Sequence, residues 1–306
     1  MNLQVPAPPG CEVLAVRLPN WLGDACMALP ALARLRSAGF SLACFGKGWA
    51  KDLLAAEPDR VEKLPGGWRA DAAAIRASGA RRGVLFPNSF GSALRMRFAG
   101  VSAAGHGGLR SALLGRSIPR VSGSHEVEAF WQVAGAWCPP GALPASLGLR
   151  LAAQHRAQAE AALSQAGVSA PYSVVAPLAV GRIHGQSKQW PGFRLLARLL
   201  GERGPVVACP GPGEETAMRA ALPEAILCNG LGVGAYAAMM SGASVVVAND
   251  SGPMHLAAAC GASVVGVFGV SDPGRTRPWS PRARTVGDAA GWPTVDQVAA
   301  IAWEAA

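Results

Sequence analysis

The sequence predicts an α/β protein made of two doubly wound halves with a cleft between them. Three observations carry this. Short β-branched runs alternate with stretches of helical periodicity, the pattern of parallel sheets with helical crossovers. A proline-rich run at 138–147, C-P-P-G-A-L-P-A-S-L, interrupts that alternation near the middle of the chain. The 306 residues are 50% hydrophobic and 15% charged, enough apolar material for two cores and too much for a disordered chain or a coiled coil.

In the first half, residues 12–17 read as a strand. Residues 24–37 follow as a helix, with Ala25, Leu29, Leu32 and Leu35 at helical spacing. Short strands are expected at 41–45 and 83–86. After the break, 152–166 reads as a polar helix. Strands are then expected at 172–176, 205–208, 243–248 and 263–267, and helices at 192–201, 213–221, 233–240 and 253–259. The boundary falls within 140–171, giving domains of 1–155 and 156–306. In folds of this kind ligands bind near the carboxyl ends of the strands.

Several classes are set aside by what the chain lacks. No run approaches eighteen apolar residues, and the first twenty residues show no basic start followed by an apolar stretch, so neither a membrane span nor a signal peptide is expected. Seven dispersed cysteines without a C-x-x-C pair read as reduced core thiols of a cytosolic protein. P-loop, G-x-G-x-x-G and G-x-S-x-G motifs are missing. His125-Glu126 has Ala129 where a zinc helix needs its second histidine, and no metal site is expected.

Charge is uneven. Residues 1–170 hold 18 basic and 10 acidic side chains, and 171–306 hold 10 and 9. Between Ala72 and His125 lie eight arginines (76, 81, 82, 95, 97, 110, 116 and 120) and no acid. Such a run attracts polyanions, or is a solvated surface with no specific partner. The only aromatics within it, apart from the histidines, are Phe86, Phe90 and Phe98, too few for a nucleic-acid stacking platform. An anionic small or lipid-linked substrate is therefore the expected partner, and no nucleic acid.

Five segments lie where strands give way to helices. In Arg17-Leu18-Pro19-Asn20-Trp21-Leu22-Gly23-Asp24, Gly23 would allow a tight turn and Asp24 would stand at the helix N-terminus. By itself this segment reads as an N-cap, although a carboxylate there would also serve as a general base for a hydroxyl. Asn249-Asp250-Ser251-Gly252-Pro253-Met254-His255 opens either a helix whose amides and dipole suit a diphosphate or a simply capped helix with His255 packed on its side. Lys188-Gln189-Trp190-Pro191 contains the only lysine of the second half, a phosphate counter-charge or an ordinary surface lysine. Residues 209–215, C-P-G-P-G-E-E, form either a nucleotide-edge loop with Glu214 on ribose or a tight turn before a helix. Residues 268–274, F-G-V-S-D-P-G, form a turn-rich loop.

Together, N-W-L-G-D, P-N-S-F-x-S-A-L at 87–94, K-x-W-P, D-S-G-x-M-H and F-G-x-S-D-P resemble glycosyltransferase family 9, the ADP-heptose:lipopolysaccharide heptosyltransferases. The P-N-S-F-x-S-A-L segment is most similar in pattern to the second heptosyltransferase of the pathway. The resemblance implies a GT-B fold of two Rossmann-like domains, the first binding acceptor and the second the nucleotide sugar. It implies a metal-independent transfer of heptose, with inversion, from ADP-heptose to a lipopolysaccharide inner-core acceptor. ADP-sugar is then the donor substrate and there is no cofactor. It assigns the base to Asp24. Donor contacts fall on Lys188, Glu214, Leu231, Asp250, Ser251, Gly252 and His255, and acceptor contacts on Asn20, Trp21, Gly23, Asn88, Ser89 and Arg95. Residues 180–186 depart from the family's usual run before the lysine. A cytoplasmic enzyme, peripheral at the inner face of the inner membrane, would fit the basic first half. The competing expectations are a transferase using another nucleotide sugar for a different surface glycan or protein, and a non-catalytic polyanion- or nucleotide-binding protein.

Overall fold

The computed structural model describes residues 11–183 and 185–306. The first ten residues, on which the signal-peptide expectation partly rests, lie outside that range, as does residue 184 in the stretch 180–186. The chain divides into two compact units, 1–144 and 145–306. This division falls inside the proline-rich run. A boundary at 155/156 would cut a helix, Ala153–Gln165, which the structure keeps whole.

The first unit has a six-stranded parallel sheet: β1 Val13–Arg17, β2 Ser41–Gly46, β3 Arg60–Lys63, β4 Arg82–Leu85, β5 Ser102–His106 and β6 Arg116–Ile118. Their spatial order is β3-β2-β1-β4-β5-β6, the order of a doubly wound nucleotide-binding fold with its switch point between β1 and β4. Its helices are α1 Leu22–Met27, α2 Leu29–Ser37, α3 Ala50–Leu53, α4 Trp68–Ala77, α5 Phe90–Phe98 and α6 Glu126–Ala134. The single helix expected at 24–37 is two, because Ala28 closes α1 and opens α2 with Pro30 in the first turn. The core on one face of this sheet packs Phe45, Ile75, Leu85 and Met96 between strands and helices. Burying each such side chain contributes about 1.5–3 kcal/mol.

In the second unit the strands are β7 Ser173–Ala176, β8 Arg182–Ile183, β9 Gln186–Ser187, β10 Val206–Ala208, β11 Ile226–Leu227, β12 Val245–Asn249, β13 Val264–Val267 and β14 Ala283–Val286. Six form a parallel sheet in the order β11-β10-β7-β12-β13-β14, and β8 pairs with β9 in a small antiparallel hairpin. The helices are α7 Ala153–Gln165, α8 Phe193–Gly201, α9 Glu215–Ala221, α10 Val233–Gly242, α11 Gly252–Ala259, α12 Pro273–Thr276 and α13 Val295–Ala305. Strands β12 and β13, V-V-V-A-N and V-V-G-V, are wholly buried, as a strand covered on both faces by helices must be. Among the described residues no helix is long and apolar enough to cross a membrane.

Candidate active site

In the second unit the site is assembled at the carboxyl ends of β7 and β12. Asn249, the last residue of β12, is fully buried. Its side-chain amide donates to the Pro177 carbonyl at 2.5 Å, and its Oδ1 accepts the Trp190 backbone N–H at 2.9 Å. Trp190 is itself buried, edge-on to Phe193, with its indole N–H on the Pro293 carbonyl. The K-x-W-P element is thus pinned to the end of β12. This pinning brings Lys188, two residues earlier, against Asp250.

Lys188 Nζ lies 2.5 Å from Asp250 Oδ2, with side chains 19% and 6% exposed. Ser271, from the F-G-x-S-D-P loop, donates its hydroxyl to the same oxygen at 2.8 Å. His255 Nε2 stands 4.0 Å from Asp250 Oδ1. The sequence motifs at Lys188, at 249–255 and at 268–274 therefore converge on one carboxylate. Asp250 holds the lysine in place, which makes it a positioning group first.

Ser251 is the N-cap of α11, in extended conformation, and its side chain caps no helical amide. Its Oγ is buried without a hydrogen-bond partner. A buried, unsatisfied hydroxyl costs about 1–3 kcal/mol unless a ligand meets it. Gly252 begins α11 and Pro253, which has no N–H, follows it. The positive end of the helix dipole, the Ser251 hydroxyl and the Lys188 ammonium together suit an anionic oxygen.

Two other expected donor contacts lie in loops of the same unit. Glu214 is the N-cap residue of α9, and its Oε2 accepts the Gly211 N–H at 3.0 Å, closing the 211–214 turn. One carboxylate oxygen is thus committed to the loop. Leu231 is half-buried between Gly230, which has φ +74°, and Gly232, the N-cap of α10.

In the first unit, a cavity of about 680 Å³ opens at the carboxyl ends of β1, β2 and β3. It is lined by four cations, Arg17, Lys47, Lys63 and Arg95, and one acid, Asp71. Asp71 is buried, accepts the Gly66 N–H at 2.9 Å and pairs with Arg95 Nε at 2.8 Å. Arg17 hydrogen-bonds Asn20 at 2.5 Å, and burial pulls its guanidinium below its ordinary pKa, with the Asp71 carboxylate opposing. Trp21, 67% exposed, forms part of the wall.

Of the expected acceptor contacts, Asn20, Trp21, Ser89 and Arg95 line this cavity. Asn88 and Gly23 do not. Asn88 Oδ1 is held by the buried Arg110 at 3.0 Å, and Gly23 is a buried helical residue of α1. No tight turn forms at Gly23; the chain bends at residues 20–21 and is already helical from Leu22. Asp24 is not the N-cap. That position belongs to Trp21, and Asp24 is the acidic residue of the first turn of α1, half-buried.

The arginine run is not one anionic-ligand face. Arg82 pairs with Glu12, Arg120 with Glu126, Arg110 is buried on backbone carbonyls, and Arg76 and Arg116 bind the Phe98 and Ala136 carbonyls. Only Arg95 of the eight lines the cavity. Arg17, Lys47, Lys63 and Asp71 were not expected from the sequence. The three cations share a signal of position, because Arg17 and Lys63 end strands and Lys47 directly follows one, whereas Asp71 lies within α4. Among the described residues no cluster of three or more His, Cys, Asp or Glu could hold a metal ion.

Comparison with known proteins agrees with these features. The family model described as glycosyltransferase family 9 (heptosyltransferase) matches residues 68–300. Lipopolysaccharide heptosyltransferase 2 of Escherichia coli (strain K12) is 26% identical over 300 residues, covering 88% of this chain and 86% of that protein. Among solved structures, the E. coli ADP-heptose lps heptosyltransferase II superposes with a TM-score of 0.77 at 24% identity, covering 90% of each chain. E. coli heptosyltransferase WaaC with ADP gives 0.72 at 20% identity, covering 96% of this chain and 100% of that one. Two doubly wound units with this likeness constitute a GT-B fold. The chain belongs to glycosyltransferase family 9, the heptosyltransferases, and is a glycosyltransferase.

Proposed function

We propose that the enzyme transfers heptose from ADP-heptose to a hydroxyl of a lipopolysaccharide inner-core acceptor, with inversion and without a metal. The observation that carries this reading is the convergence of Lys188, Asp250, Ser251 and the start of α11 on one point. In the proposed reaction the acceptor oxygen forms a bond to the anomeric carbon as the bond from that carbon to the diphosphate oxygen breaks. ADP leaves with the bonding pair, and the hydroxyl proton passes to the Asp24 carboxylate. The charge that grows on the diphosphate is met by the Lys188 ammonium and the helix terminus, which supply fixed electrostatic stabilisation. The cationic cavity of the first unit supports an acceptor that carries phosphate or carboxylate groups.

The test is a calorimetric titration with ADP, UDP and GDP in chelator-treated buffer, followed by turnover of ADP-heptose on a purified core acceptor. ADP preference with chelator-resistant turnover is expected. Preference for UDP or GDP would move the reaction to another sugar donor. Turnover lost on chelation and restored by a metal would overturn the metal-free mechanism.

A further inference from the structure

An exposed aromatic pair on the first unit is left over once the cavity is accounted for. Trp68, the first residue of α4, is 46% exposed, and Phe98, the last residue of α5, is 48% exposed. Their ring centroids are 5.1 Å apart at a 48° tilt. Large aromatics gathered at a surface mark an interaction face.

Their surroundings are cationic. The Arg69 guanidinium lies 4.9 Å from the Trp68 ring centroid. Arg76 reaches the Phe98 carbonyl, and Arg97 is the neighbour of Phe98 on α5. Arg69, Arg76 and Arg97 are all exposed. The one acid of these two helices, Asp71, is buried and paired with Arg95, so it does not offset them at the surface.

We propose that this patch docks the enzyme on an anionic lipid bilayer, with Trp68 and Phe98 entering the headgroup layer and Arg69, Arg76 and Arg97 meeting lipid phosphates. Tryptophan settles at the membrane–water boundary, and arginine lays its apolar stem along such a surface while its head stays in the polar layer. A nucleic-acid base has less to gain here, because Arg69 and Phe98 already pack on the Trp68 ring. The same two helices line the cationic cavity through Asp71 and Arg95, one turn from Trp68 and Phe98 in sequence. A bilayer held at the patch therefore lies beside the mouth of that cavity. The proposal goes beyond the sugar transfer and does not rest on it, since binding is read without donor or acceptor.

The test is co-sedimentation of the full chain with phosphatidylcholine vesicles, with and without phosphatidylglycerol. The wild type is expected to bind only the anionic vesicles. Arg69→Glu and Arg97→Glu should each weaken binding by about fivefold or more, the equivalent of ~1 kcal/mol per basic residue at an anionic surface. Trp68→Ser, at an exposed position, should weaken it at unchanged net charge, and it keeps the test open if Phe98→Ser fails to fold. Each variant should keep wild-type ADP affinity. No binding by the wild type, equal binding to neutral vesicles, or variants that bind like wild type would each overturn the proposal. Binding to an RNA oligonucleotide but not to vesicles would overturn it as well.

Discussion

Lys188 and Asp250, sixty-two positions apart, form an ion pair of 2.5 Å between side chains that are largely removed from solvent. Ser271 donates to the same carboxylate oxygen, so a single acid organises groups from three loops. An ammonium held in this way is preorganised for a phosphate, and it exchanges no rotamer freedom when the ligand arrives. Lys188→Ala should weaken ADP binding by about 1.5–3 kcal/mol, the scale of a charged hydrogen bond. Calorimetric titration reads this directly, and unchanged affinity would remove Lys188 from the donor site.

Asp250→Ala should act first on stability. It leaves a half-buried ammonium without its counter-charge, a loss of at most about 3–5 kcal/mol. The urea midpoint should fall accordingly. Asp250→Asn retains an acceptor for Ser271 and should fall less. A variant with wild-type stability and abolished ADP binding would show instead that Asp250 contacts the nucleotide itself.

The motifs made these residues legible as separate candidates, and their partnership was not legible. Sequence spacing marks Asp250 at a strand end and Lys188 before a helix. It does not reveal that the Asn249 amide catches the Trp190 N–H and so draws the two together. The cationic cavity was less legible still, because it collects single residues from the ends of three strands and from α4 and α5. The fold class followed from the β-branched runs. Several strands that the sequence does not mark lack such runs: β5 is S-A-A-G-H and β3 is R-V-E-K at a sheet edge. Neighbouring strands, rather than intrinsic propensity, hold such segments extended.

Asp24→Asn should lower turnover by about 10²–10⁴ while leaving ADP binding intact, the effect of removing a general base. The position supports the second half of this expectation, since Asp24 belongs to the first unit and Lys188 and Asp250 to the second. The comparison of kcat with ADP affinity decides it. An Asp24→Asn enzyme with wild-type kcat would require another base.

Lys47 and Lys63 line the cationic cavity from the ends of β2 and β3, and both are exposed. The double variant Lys47→Ala/Lys63→Ala should raise acceptor KM and spare donor KM and fold stability. Exposed charges act over roughly one Debye length, about 10 Å at 0.1 M salt. The wild-type acceptor KM should therefore climb with salt more steeply than that of the variant. An effect confined to donor KM would separate this cavity from acceptor binding.

Gly269 of the F-G-x-S-D-P loop owes its identity to packing. A Cβ built there would lie 1.9 Å from the Trp292 indole, so the ring occupies the space a side chain would need. Trp292 in turn packs against the hydrophobic core of the second unit. Gly269→Ala should cost about 1–3 kcal/mol through overpacking. It should also shift Ser271, two residues on, away from Asp250 and so weaken ADP binding. Trp292→Leu makes room for the added methyl. The double variant Gly269→Ala/Trp292→Leu should therefore be less destabilised than the sum of its parts, a coupling of about 0.5–3 kcal/mol in a double-mutant cycle. Strict additivity of the two changes would mean that the glycine answers to something other than the indole.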